Sequence, residues 1–318
     1  MTLKRIFVTG ASGCVGHYVV ESLIQETTHE LYLLVRNPEK LNVSLTARSG
    51  ITVLQGDLRE IEKFAELLKT IDTAVLIATA WGGADTFEIN TRKMTQLIDL
   101  LDPEVCQQVI YFSTASILDR DNNLLKEAGE IGTDYIRSKY ACFQALPSLS
   151  LYSRITTLFP TLLLGGDAHI PQSHVSSGVA RLPDWSNALR FFSVDGCFHF
   201  IHSKDIAQIV RYLIDRPPAP GESRKLVLGN DRVEVDEAIE EICAYFRKRI
   251  YFRIPLTPKL TDFVLTRFRI KMEEWDRFSV RYRYFTHRTV VSPATLGLPT
   301  YCATFGDVLK LSSARPHS

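Results

Sequence analysis

Residues 6–17 decide the fold of this chain, and they read IFVTGASGCVGH. A short apolar run ends in a glycine turn, and a stretch with helical periodicity starts directly after it. Gly10 permits the tight turn, Gly13 lets the backbone approach a pyrophosphate, and Gly16 lets the helix pack close to the sheet. The start of the helix then presents unpaired N–H groups to phosphates. The stretch predicts a dinucleotide-binding turn, with an ordinary glycine turn in a loop as the alternative.

The first half of the chain alternates short apolar runs with longer stretches of helical period, which is typical of a parallel sheet with right-handed crossovers. Strands are predicted at residues 5–8, 31–35, 52–54, 74–78, 109–112 and 156–158, and helices at 15–25, 61–68, 87–101 and 134–146. The predicted fold class is therefore α/β, a Rossmann doubly wound parallel sheet with a smaller C-terminal substrate domain.

The second half of the chain loses this regularity. Residues 165–196 have the composition of loops, a strand–helix pair returns near 198–213, a proline-rich break falls at 217–221, and a helix is predicted at 235–246. We expect the Rossmann domain to comprise residues 1–165 and 198–229. The substrate-binding domain is expected to comprise residues 166–197 and 230–318.

Composition disfavours several classes of protein. The 318 residues carry a formal net charge of +1, which provides no bulk attraction for nucleic acid. The six cysteines are scattered without a C-x-x-C pair, so we expect neither a metal site nor a disulfide framework. No run of about 18 apolar residues predicts a membrane span. The N-terminus lacks the pattern of a signal peptide, which makes a cytoplasmic location the default expectation.

Further motifs follow the glycine turn in a fixed order. They are QGDL at 55–58, FEINT at 87–91, FSTAS at 112–116, YIRSK at 135–139 and FIHSKDIA at 200–207. In this order and spacing, the chain resembles the extended branch of the short-chain dehydrogenase/reductase superfamily, and in particular the NAD-dependent epimerases and dehydratases. The resemblance runs through most of the chain and implies an NAD(P)-dependent enzyme.

Tyr135 and Lys139 form the candidate catalytic pair. They are four residues apart on a predicted helix and therefore share one face. An ammonium group beside a phenol favours the phenolate, so we expect Lys139 to lower the pKa of Tyr135 and fit it for proton transfer. The alternative is a surface helix with accidental spacing. The resemblance implies that Lys139 also holds the nicotinamide ribose hydroxyls. It further implies that Thr114 hydrogen-bonds the substrate oxygen, with Ser113 as the runner-up.

Arg36 favours NADP over NAD as the cofactor. It follows the second predicted strand, where NAD-preferring relatives place an acidic residue for the ribose 2′-hydroxyl. An arginine can instead pair with a 2′-phosphate, which a carboxylate would repel. NAD stays the alternative cofactor, because the position of Arg36 is also consistent with a plain surface arginine.

The glycine turn, the carboxyl edge of the predicted sheet and the resemblance together predict the residues that contact the cofactor. Trp81 follows the fourth strand at this edge, where it either walls the substrate pocket or packs in the core. The predicted cofactor-binding residues are Gly10, Ser12, Gly13, Cys14, Val15, Gly16, Arg36, Asp57, Leu58, Thr79, Ala80, Trp81, Ser113, Tyr135, Lys139 and Pro160.

Departures from the family pattern bear on the substrate. Phe143 replaces the glutamate that follows Tyr-x-x-x-Lys, Ala115-Ser116 replaces the Asp-Glu of sugar-nucleotide dehydratases, and residues 158–165 replace an Arg-x-x-Asn-like stretch. They favour an NADP(H)-dependent oxidoreductase that acts on the carbonyl or alcohol of a small apolar substrate. The alternatives are a sugar-nucleotide epimerase or dehydratase with bound NAD, and a non-catalytic scaffold or assembly factor. The resemblance also implies a possible homodimer through helices 87–101 and 134–146.

Residues 253–288 mix basic and aromatic side chains, a pattern found at membrane and nucleic-acid surfaces. Acidic residues inside the stretch favour another interpretation, a substrate domain with its aromatic residues inward and its arginines solvated. These acidic residues are Glu273, Glu274 and Asp276. Neither nucleic acid nor a membrane is therefore expected as a partner. The histidines show no metal-ligand spacing, and no metal site is predicted.

Overall fold

The computed structural model describes residues 3–179, 181–219, 221–222, 224–257, 259–260, 267 and 271–311. Its centre is a seven-stranded parallel sheet in the order β3-β2-β1-β4-β5-β6-β11, with strands numbered along the chain. These strands are β1 (Arg5–Thr9), β2 (Glu30–Val35), β3 (Ile51–Gln55), β4 (Thr73–Leu76), β5 (Gln108–Phe112), β6 (Ile155–Pro160) and β11 (Arg224–Leu228). The predicted α/β class and parallel Rossmann-like sheet are confirmed.

Helices flank both faces of this sheet. On one face α1 (Cys14–Glu26) packs against α8 (Ser203–Ile214), and on the other lie α3 (Met94–Asp99) and α5 (Asp134–Ala145). Further helices are α2 (Ala65–Leu68), α4 (Lys126–Glu130), α6 (His174–Val179), α7 (Leu182–Leu189), α9 (Val235–Tyr245), α10 (Glu274–Tyr282) and α11 (Phe305–Leu311). Short 3-10 turns lie at Pro38–Lys40, Ala115–Ile117, Leu146–Ser148, Tyr152–Arg154 and Ala294–Leu296.

Consecutive side chains of each strand point to opposite faces of the sheet, and this alternation builds two cores. Val8 of β1 belongs to the core on one face, together with Val19 of α1 and Val210 of α8. Its neighbour Phe7 belongs to the core on the other face, together with Leu97 of α3. All five side chains are fully buried, and each such burial stabilises the fold by about 1.5–3 kcal/mol.

Two predicted helices differ from regular α-helices. Residues 61–68 were expected to form one helix, but a 3-10 run occupies Leu58–Phe64 before α2, with Glu60 outside helical geometry at φ −115° and ψ 32°. Residues 87–101 begin as a π-helix at Glu88–Lys93 and only then continue as α3. Such π-turns are rare and often occur at functional sites. This one carries the buried side chain of Asn90.

Residues 165–196 hold more regular structure than their loop-like composition predicts. They contain α6, α7 and the short strand β8 (Phe192–Ser193). Leu182 and Leu189 of α7 pack against α9, and their seven-residue spacing puts them on one helix face. The prediction of a loop is wrong at these helices. A segment of eight residues is too short to show the hydrophobic period of a helix, and α9, which α7 packs against, lies far along the chain.

Small sheets lie beside the central one. Among the described residues, β7 (Leu162–Leu164) pairs with β10 (Phe200–His202), and β8 pairs with β13 (Ile254–Pro255). A third small sheet has the order β12 (Val233–Glu234), β9 (Cys197–Phe198) and β14 (Tyr284–Phe285). Strand β11 returns to the edge of the central sheet beside β6. The division of the chain into two domains stays a prediction.

The aromatic residues of the 253–288 stretch pack against one another where the structure describes them. Trp275 is buried, its ring centroid lies 5.3 Å from that of Phe278, and Phe278 stacks on Tyr282 at 5.1 Å. The Arg120 guanidinium lies 4.7 Å from the centroid of the Tyr282 ring. These are the contacts of a packed segment. The members of the stretch that lie outside the described residues are Phe263, Phe268 and Arg269.

Several further findings concern the ranges that the structure describes. No helix in them is both long and apolar enough to cross a membrane. They contain no group of three or more His, Cys, Asp or Glu side chains placed to hold a metal ion. All six cysteines are free thiols, and only Cys14 is not fully buried.

The glycine turn between β1 and α1 brings backbone against backbone. Gly10 has a φ of +73°, in the left-handed region that favours glycine. A Cβ atom on Gly16 would lie 2.0 Å from the carbonyl oxygen of Gly10, closer than atoms can approach. A Cβ atom on Gly13 would lie 3.3 Å from the same oxygen. Gly10 and Gly16 are therefore required by the fold, whereas Gly13 is exposed and leaves room beside the turn.

Alanine should be tolerated at Gly13 but not at Gly16. The methyl group of Gly16→Ala overlaps the Gly10 carbonyl, and we expect the free energy of unfolding to fall by about 3 kcal/mol. Gly13→Ala replaces only a helix N-cap and should lower the free energy of unfolding by about 1 kcal/mol at most. Urea unfolding of the parent and both variants, followed by circular dichroism without added nucleotide, measures the difference. A Gly16→Ala protein as stable as the parent would contradict the packing of this turn.

Candidate active site

The N-terminus of α1 lies open beside the glycine turn. Gly13 is the N-cap, and no side chain caps the first N–H groups of the helix. These N–H groups and the helix dipole favour an anion. Ser12 and Cys14 are half-buried on either side of Gly13, and Val15 is buried. The Sγ of Cys14 lies 3.3 Å from the Ser203 hydroxyl, and burial raises the pKa of this thiol. The thiol is therefore neutral beside the anion site.

The ends of β2 and β3 form the second part of the site. Arg36 is exposed directly after β2 and forms no ion pair with a described residue. Asp57 follows β3, and the Arg59 guanidinium beside it holds the pKa of its carboxyl below the usual range, with a further contribution from Arg36. Arg59 donates to Asp57 at 3.0 Å and to Asp85 at 3.1 Å, and Leu58 is buried. Arg59 was not predicted as a site residue, because an arginine on the surface after a strand is not part of a motif with a distinctive residue spacing.

Asn90 ties the end of β4 to helix α5. Its Oδ1 accepts hydrogen bonds from the Ala80 N–H at 2.8 Å and the Thr79 hydroxyl at 3.0 Å. Its Nδ2 donates to the Ala80 carbonyl at 2.8 Å and to the Ser138 hydroxyl at 3.0 Å. The four bonds satisfy a fully buried amide. Asn90 was not predicted as a site residue, because its partners come from segments up to 48 residues away along the chain.

Thr114, Tyr135 and Lys139 all lie near the end of β5. Thr114 lies two residues after this strand, and the interaction between its hydroxyl and that of Tyr135 acts to lower the Tyr135 pKa. Tyr135 lies in the first turn of α5, and Lys139 lies one turn further on. Lys139 is only 1% exposed, and its Nζ donates to the Phe112 carbonyl at 2.8 Å. Ser113 is also buried, but its hydroxyl acts on the pKa of Tyr111, whereas the hydroxyl of Thr114 acts on that of Tyr135.

Burial dominates the protonation of this pair. It raises the pKa of Tyr135 to about 12, in spite of the Thr114 hydroxyl, and it lowers the pKa of Lys139 to about 8. The expected lowering of the Tyr135 pKa by Lys139 is therefore not found. Burial penalises the charged form of both groups, and the Lys139 ammonium is directed at the Phe112 carbonyl. At pH 7 the phenol is protonated and the lysine is mostly charged.

Trp81 lies over the ring of Tyr135. The two rings stack with their centroids 4.3 Å apart and an interplanar angle of 23°. The other described ring contact of the indole is with His174 of α6, at 4.6 Å and 64°. Trp81 is 54% exposed, which rules out a core position and leaves the alternative of a pocket wall. His174 escaped prediction, because nothing in the sequence indicates that α6 lies beside the β4 segment.

These residues fit a dinucleotide. The open start of α1 suits the diphosphate, and the Lys139 ammonium retains two N–H donors that no described acceptor takes, which suits ribose hydroxyls. Pro160 ends β6, and therefore lies at the same carboxyl edge of the sheet as Thr79 and Thr114. In parallel sheets, ligands bind at this edge. The cofactor role of each predicted residue stays a prediction.

A family model and a curated protein match the chain by sequence. The model for the NAD dependent epimerase/dehydratase family matches residues 6–229, which include the glycine turn and the Tyr135–Lys139 pair. Quinone oxidoreductase 2 of Escherichia coli (strain K12) is 29% identical over 126 residues, which are 39% of this chain and 41% of that protein. The match to this relative thus spans less than half of its length.

Solved structures share the fold over nearly the whole chain. The structure of gox2253 has a TM-score of 0.68 at 18% identity and covers 96% of this chain and 97% of its own. A dTDP-glucose 4,6-dehydratase from Bacillus anthracis, in complex with NAD, has a TM-score of 0.64 at 12% identity, with 96% and 94% covered. A UDP-glucose-4-epimerase from Stenotrophomonas maltophila, with bound NAD, has a TM-score of 0.62 at 16% identity, with 96% of each chain covered. At these identities the likeness shows the fold alone.

Replacing Lys139 by methionine should remove a rise in stability with pH. The pKa of Lys139 is about 8 in the folded protein, below the usual lysine value of 10.5. Between these pH values the folded lysine has lost its proton and the unfolded lysine has kept it, so stability rises with pH. Over this interval the free energy of unfolding rises by about 3 kcal/mol at most.

Urea unfolding at pH 7.5 and pH 10 tests this expectation. The parent should gain stability relative to Lys139→Met over this interval. Lys69→Met, at an exposed position beside Glu66, is the matched control and should follow the parent. A stability difference between the parent and Lys139→Met that does not change with pH would contradict the lowered pKa of Lys139.

Proposed function

The chain belongs to the NAD-dependent epimerase/dehydratase family, and within it we propose that the protein is an NADP(H)-preferring oxidoreductase that reduces a carbonyl group on a small apolar substrate. The observation that carries the proposal is that the hydroxyls of Thr114 and Tyr135 interact near the carboxyl end of β5, where the Lys139 ammonium is also held by the Phe112 carbonyl. A hydroxyl pair and a buried ammonium at this edge are what proton transfer to a substrate oxygen requires.

Reduced nicotinamide, when bound, supplies a hydride, and the residues of the chain supply position and a proton. Tyr135 donates its hydroxyl proton to the substrate oxygen as negative charge develops there. Thr114 donates a hydrogen bond to the same oxygen and so fixes its position beside Tyr135. Lys139 would hold the ribose hydroxyls with its two remaining N–H donors. Solvent then returns a proton to Tyr135.

The protonation of Tyr135 supports its role as the general acid in carbonyl reduction. With a pKa of about 12, the phenol carries its proton throughout the physiological range and is ready to act as an acid. Oxidation of an alcohol would require the phenolate as a base, which burial disfavours at neutral pH. Catalysis as a general acid therefore needs no prior deprotonation.

The residues around the pair support an apolar substrate over a nucleotide sugar. Ala115 and Ser116 stand where sugar-nucleotide dehydratases have Asp-Glu, so the acid–base residues of that reaction are missing. Phe143, which replaces the glutamate of the family pattern, packs its ring against Phe159 at 5.2 Å. The partial match to a quinone oxidoreductase supports the same conclusion. The possible homodimer stays a prediction.

Arg36 supports NADP(H) as the preferred cofactor. It is exposed after β2 without an ion pair to a described residue, so its charge is available to a 2′-phosphate. The described end of β2 offers no carboxylate of the kind that NAD-preferring relatives use. Arg59, held by Asp57 and Asp85, adds a second positive charge near Asp57.

Arg36→Asp should reverse or erase the preference for NADP(H). The change replaces attraction by repulsion at the 2′-phosphate, so NADP(H) should bind at least about tenfold more weakly, the effect of losing a charged hydrogen bond. Affinity for NAD(H) should change little. Lys69→Asp makes the same charge change before β4, at the opposite edge of the sheet, and should alter neither affinity. Titration of the three proteins with both cofactors is the measurement, and equal affinities of the parent for NADP(H) and NAD(H) would contradict the role of Arg36.

Tyr135→Phe should abolish most turnover and leave cofactor binding intact. The substitution removes the proton donor and keeps the ring, and positioned acid–base catalysis contributes on the order of 10²–10⁴ in rate. Tyr140→Phe removes a hydroxyl from the same helix and should retain activity. Cofactor oxidation in the presence of a carbonyl substrate, followed at 340 nm, compares the two variants with the parent. A fully active Tyr135→Phe protein would refute the proposed chemistry, as would a parent that turns over no carbonyl compound and merely binds the cofactor.

A further inference from the structure

We propose that the cavity lined by β7, β10, α6 and α11 is a second ligand site, and that it binds a small amphipathic molecule through an alcohol hydroxyl group. The site is separate from the pocket at Tyr135 and does not depend on the reaction proposed there. Three observations support it. The cavity lies across α6 from Trp81, one of its buried side chains has an N–H group without an acceptor, and one of its carboxylate oxygens has no donor.

The cavity combines an apolar and a polar lining. Its volume is about 300 Å³, at the lower end of the range for cavities that hold small molecules. Leu164, Val179 and Val308 belong to its apolar lining, and all three are buried. Asp167 and His202 line the same space. A ligand that fills the cavity must therefore combine an apolar body with a hydrogen-bonding group, because either part alone would leave some of the lining without a suitable partner.

Helix α6 separates this cavity from the pocket at Tyr135. Ser176 and Val179 line the cavity, whereas His174 contacts the indole of Trp81. Successive residues of a helix are rotated by about 100°, so Ser176 and Val179 share one face of α6 and His174 lies on the opposite face. A ligand in the cavity therefore meets the side of α6 that turns away from Trp81. None of the described residues that line the cavity was predicted to bind the cofactor.

His202 offers a hydrogen-bond donor to the cavity. Its Nδ1 accepts a hydrogen bond from the Lys204 N–H at 3.1 Å, and burial lowers the pKa of the imidazole to about 4. The ring is therefore neutral at pH 7 and carries its proton on Nε2. His202 is only 7% exposed, and its ring contacts those of Tyr18 and Tyr301, with centroids at 5.5 and 4.9 Å. Among the residues that the structure describes, none accepts a hydrogen bond from this Nε2–H, so a ligand oxygen in the cavity would satisfy a buried donor.

Asp167 offers an acceptor and a negative charge. Its Oδ1 accepts hydrogen bonds from the N–H groups of His169 and Ile170, at 2.7 and 2.9 Å. Although partial burial opposes ionisation, these two hydrogen bonds hold the pKa of the carboxyl below its usual range. The group is thus a carboxylate at pH 7, and its Oδ2 accepts no hydrogen bond from a described residue. A ligand hydroxyl can donate to this oxygen, whereas a ligand carboxylate would be repelled.

An alcohol satisfies both groups with one oxygen atom. The hydroxyl oxygen accepts from the His202 Nε2–H, and the hydroxyl proton is donated to Asp167. An ether can only accept, an ammonium group can only donate, and a carboxylate brings a like charge to Asp167. The apolar body of the ligand then packs against the apolar lining of the cavity. The combination therefore selects alcohols among small amphipathic molecules.

Three probes with the same apolar body and different head groups test the inference. They are 4-phenylbutan-1-ol, its methyl ether and 4-phenylbutanoate, and their binding to the full chain without cofactor is measured by equilibrium dialysis at pH 7. We expect the alcohol to bind at least about tenfold more tightly than the other two, because the ether loses a hydrogen bond to a charged group and the carboxylate meets a like charge. Equal binding of the alcohol and the ether, or no binding of the alcohol, would contradict the proposed class of ligand.

Variants locate the bound probe and identify the group that selects it. Val308→Phe places a ring in the cavity and should remove most binding of the alcohol, whereas Trp81→Leu changes the pocket at Tyr135 and should leave this binding unchanged. Asp167→Asn keeps the Oδ1 acceptor and removes the charge, so 4-phenylbutanoate should bind this variant at least about tenfold more tightly than it binds the parent. Asp184→Asn removes an exposed carboxylate of α7 that does not line the cavity, and as the matched control it should behave like the parent.

The outcomes separate this site from the pocket at Tyr135. Alcohol binding that is lost in Trp81→Leu and kept in Val308→Phe would place the probe in that pocket and overturn the second site. An affinity for 4-phenylbutanoate that Asp167→Asn leaves unchanged, or that Asp184→Asn raises equally, would overturn it as well. Asp167 is exposed, so this second comparison decides the question even if Val308→Phe does not fold.

Discussion

Backbone packing at the glycine turn is the constraint on which the rest of the site depends. A Cβ atom on Gly10 would lie 2.7 Å from the Ala78 nitrogen, so the turn presses directly against the segment that leaves β4. The same nitrogen donates to the Thr9 hydroxyl at 3.2 Å. Two residues further on, Ala80 is bonded to Asn90, which in turn bonds Ser138 of α5. The position of α1 and the position of α5 are therefore linked through one short run of backbone.

The features that could be predicted from sequence are those with a short period or a local motif. The alternation of apolar runs and amphipathic stretches was enough to predict the parallel sheet. The glycines were enough to predict the turn at the start of α1. Spacing along one helix was enough to put Tyr135 and Lys139 on a common face. Each of these depends on neighbours in the chain, which a sequence displays directly.

The features that could not be predicted depend on contacts between distant segments. The hydrogen bonds of Asn90 and the contact between Trp81 and His174 join parts of the chain that have no common pattern. The pKa of Tyr135 depends on how much protein surrounds it, and burial outweighs the neighbours that a motif would suggest. Helices α6 and α7 are too short to show periodicity. The sequence therefore predicted the positions of the motif residues in the fold better than it predicted the protonation of Tyr135.

The ion pairs of Arg59 give the site a dependence on ionic strength. This guanidinium bonds Asp57 after β3 and Asp85 in the segment that carries Trp81, and both of its pairs lie near the surface, where the Arg59 side chain is 50% exposed. Exposed pairs are weak and are screened over about 8 Å at physiological salt and about 3 Å at 1 M. The Asn90 anchor is buried and feels little of this screening. Added salt therefore weakens the attachment of the Trp81 segment at Asp85 but not its attachment at Ala80. The segment then moves about Ala80 as a hinge.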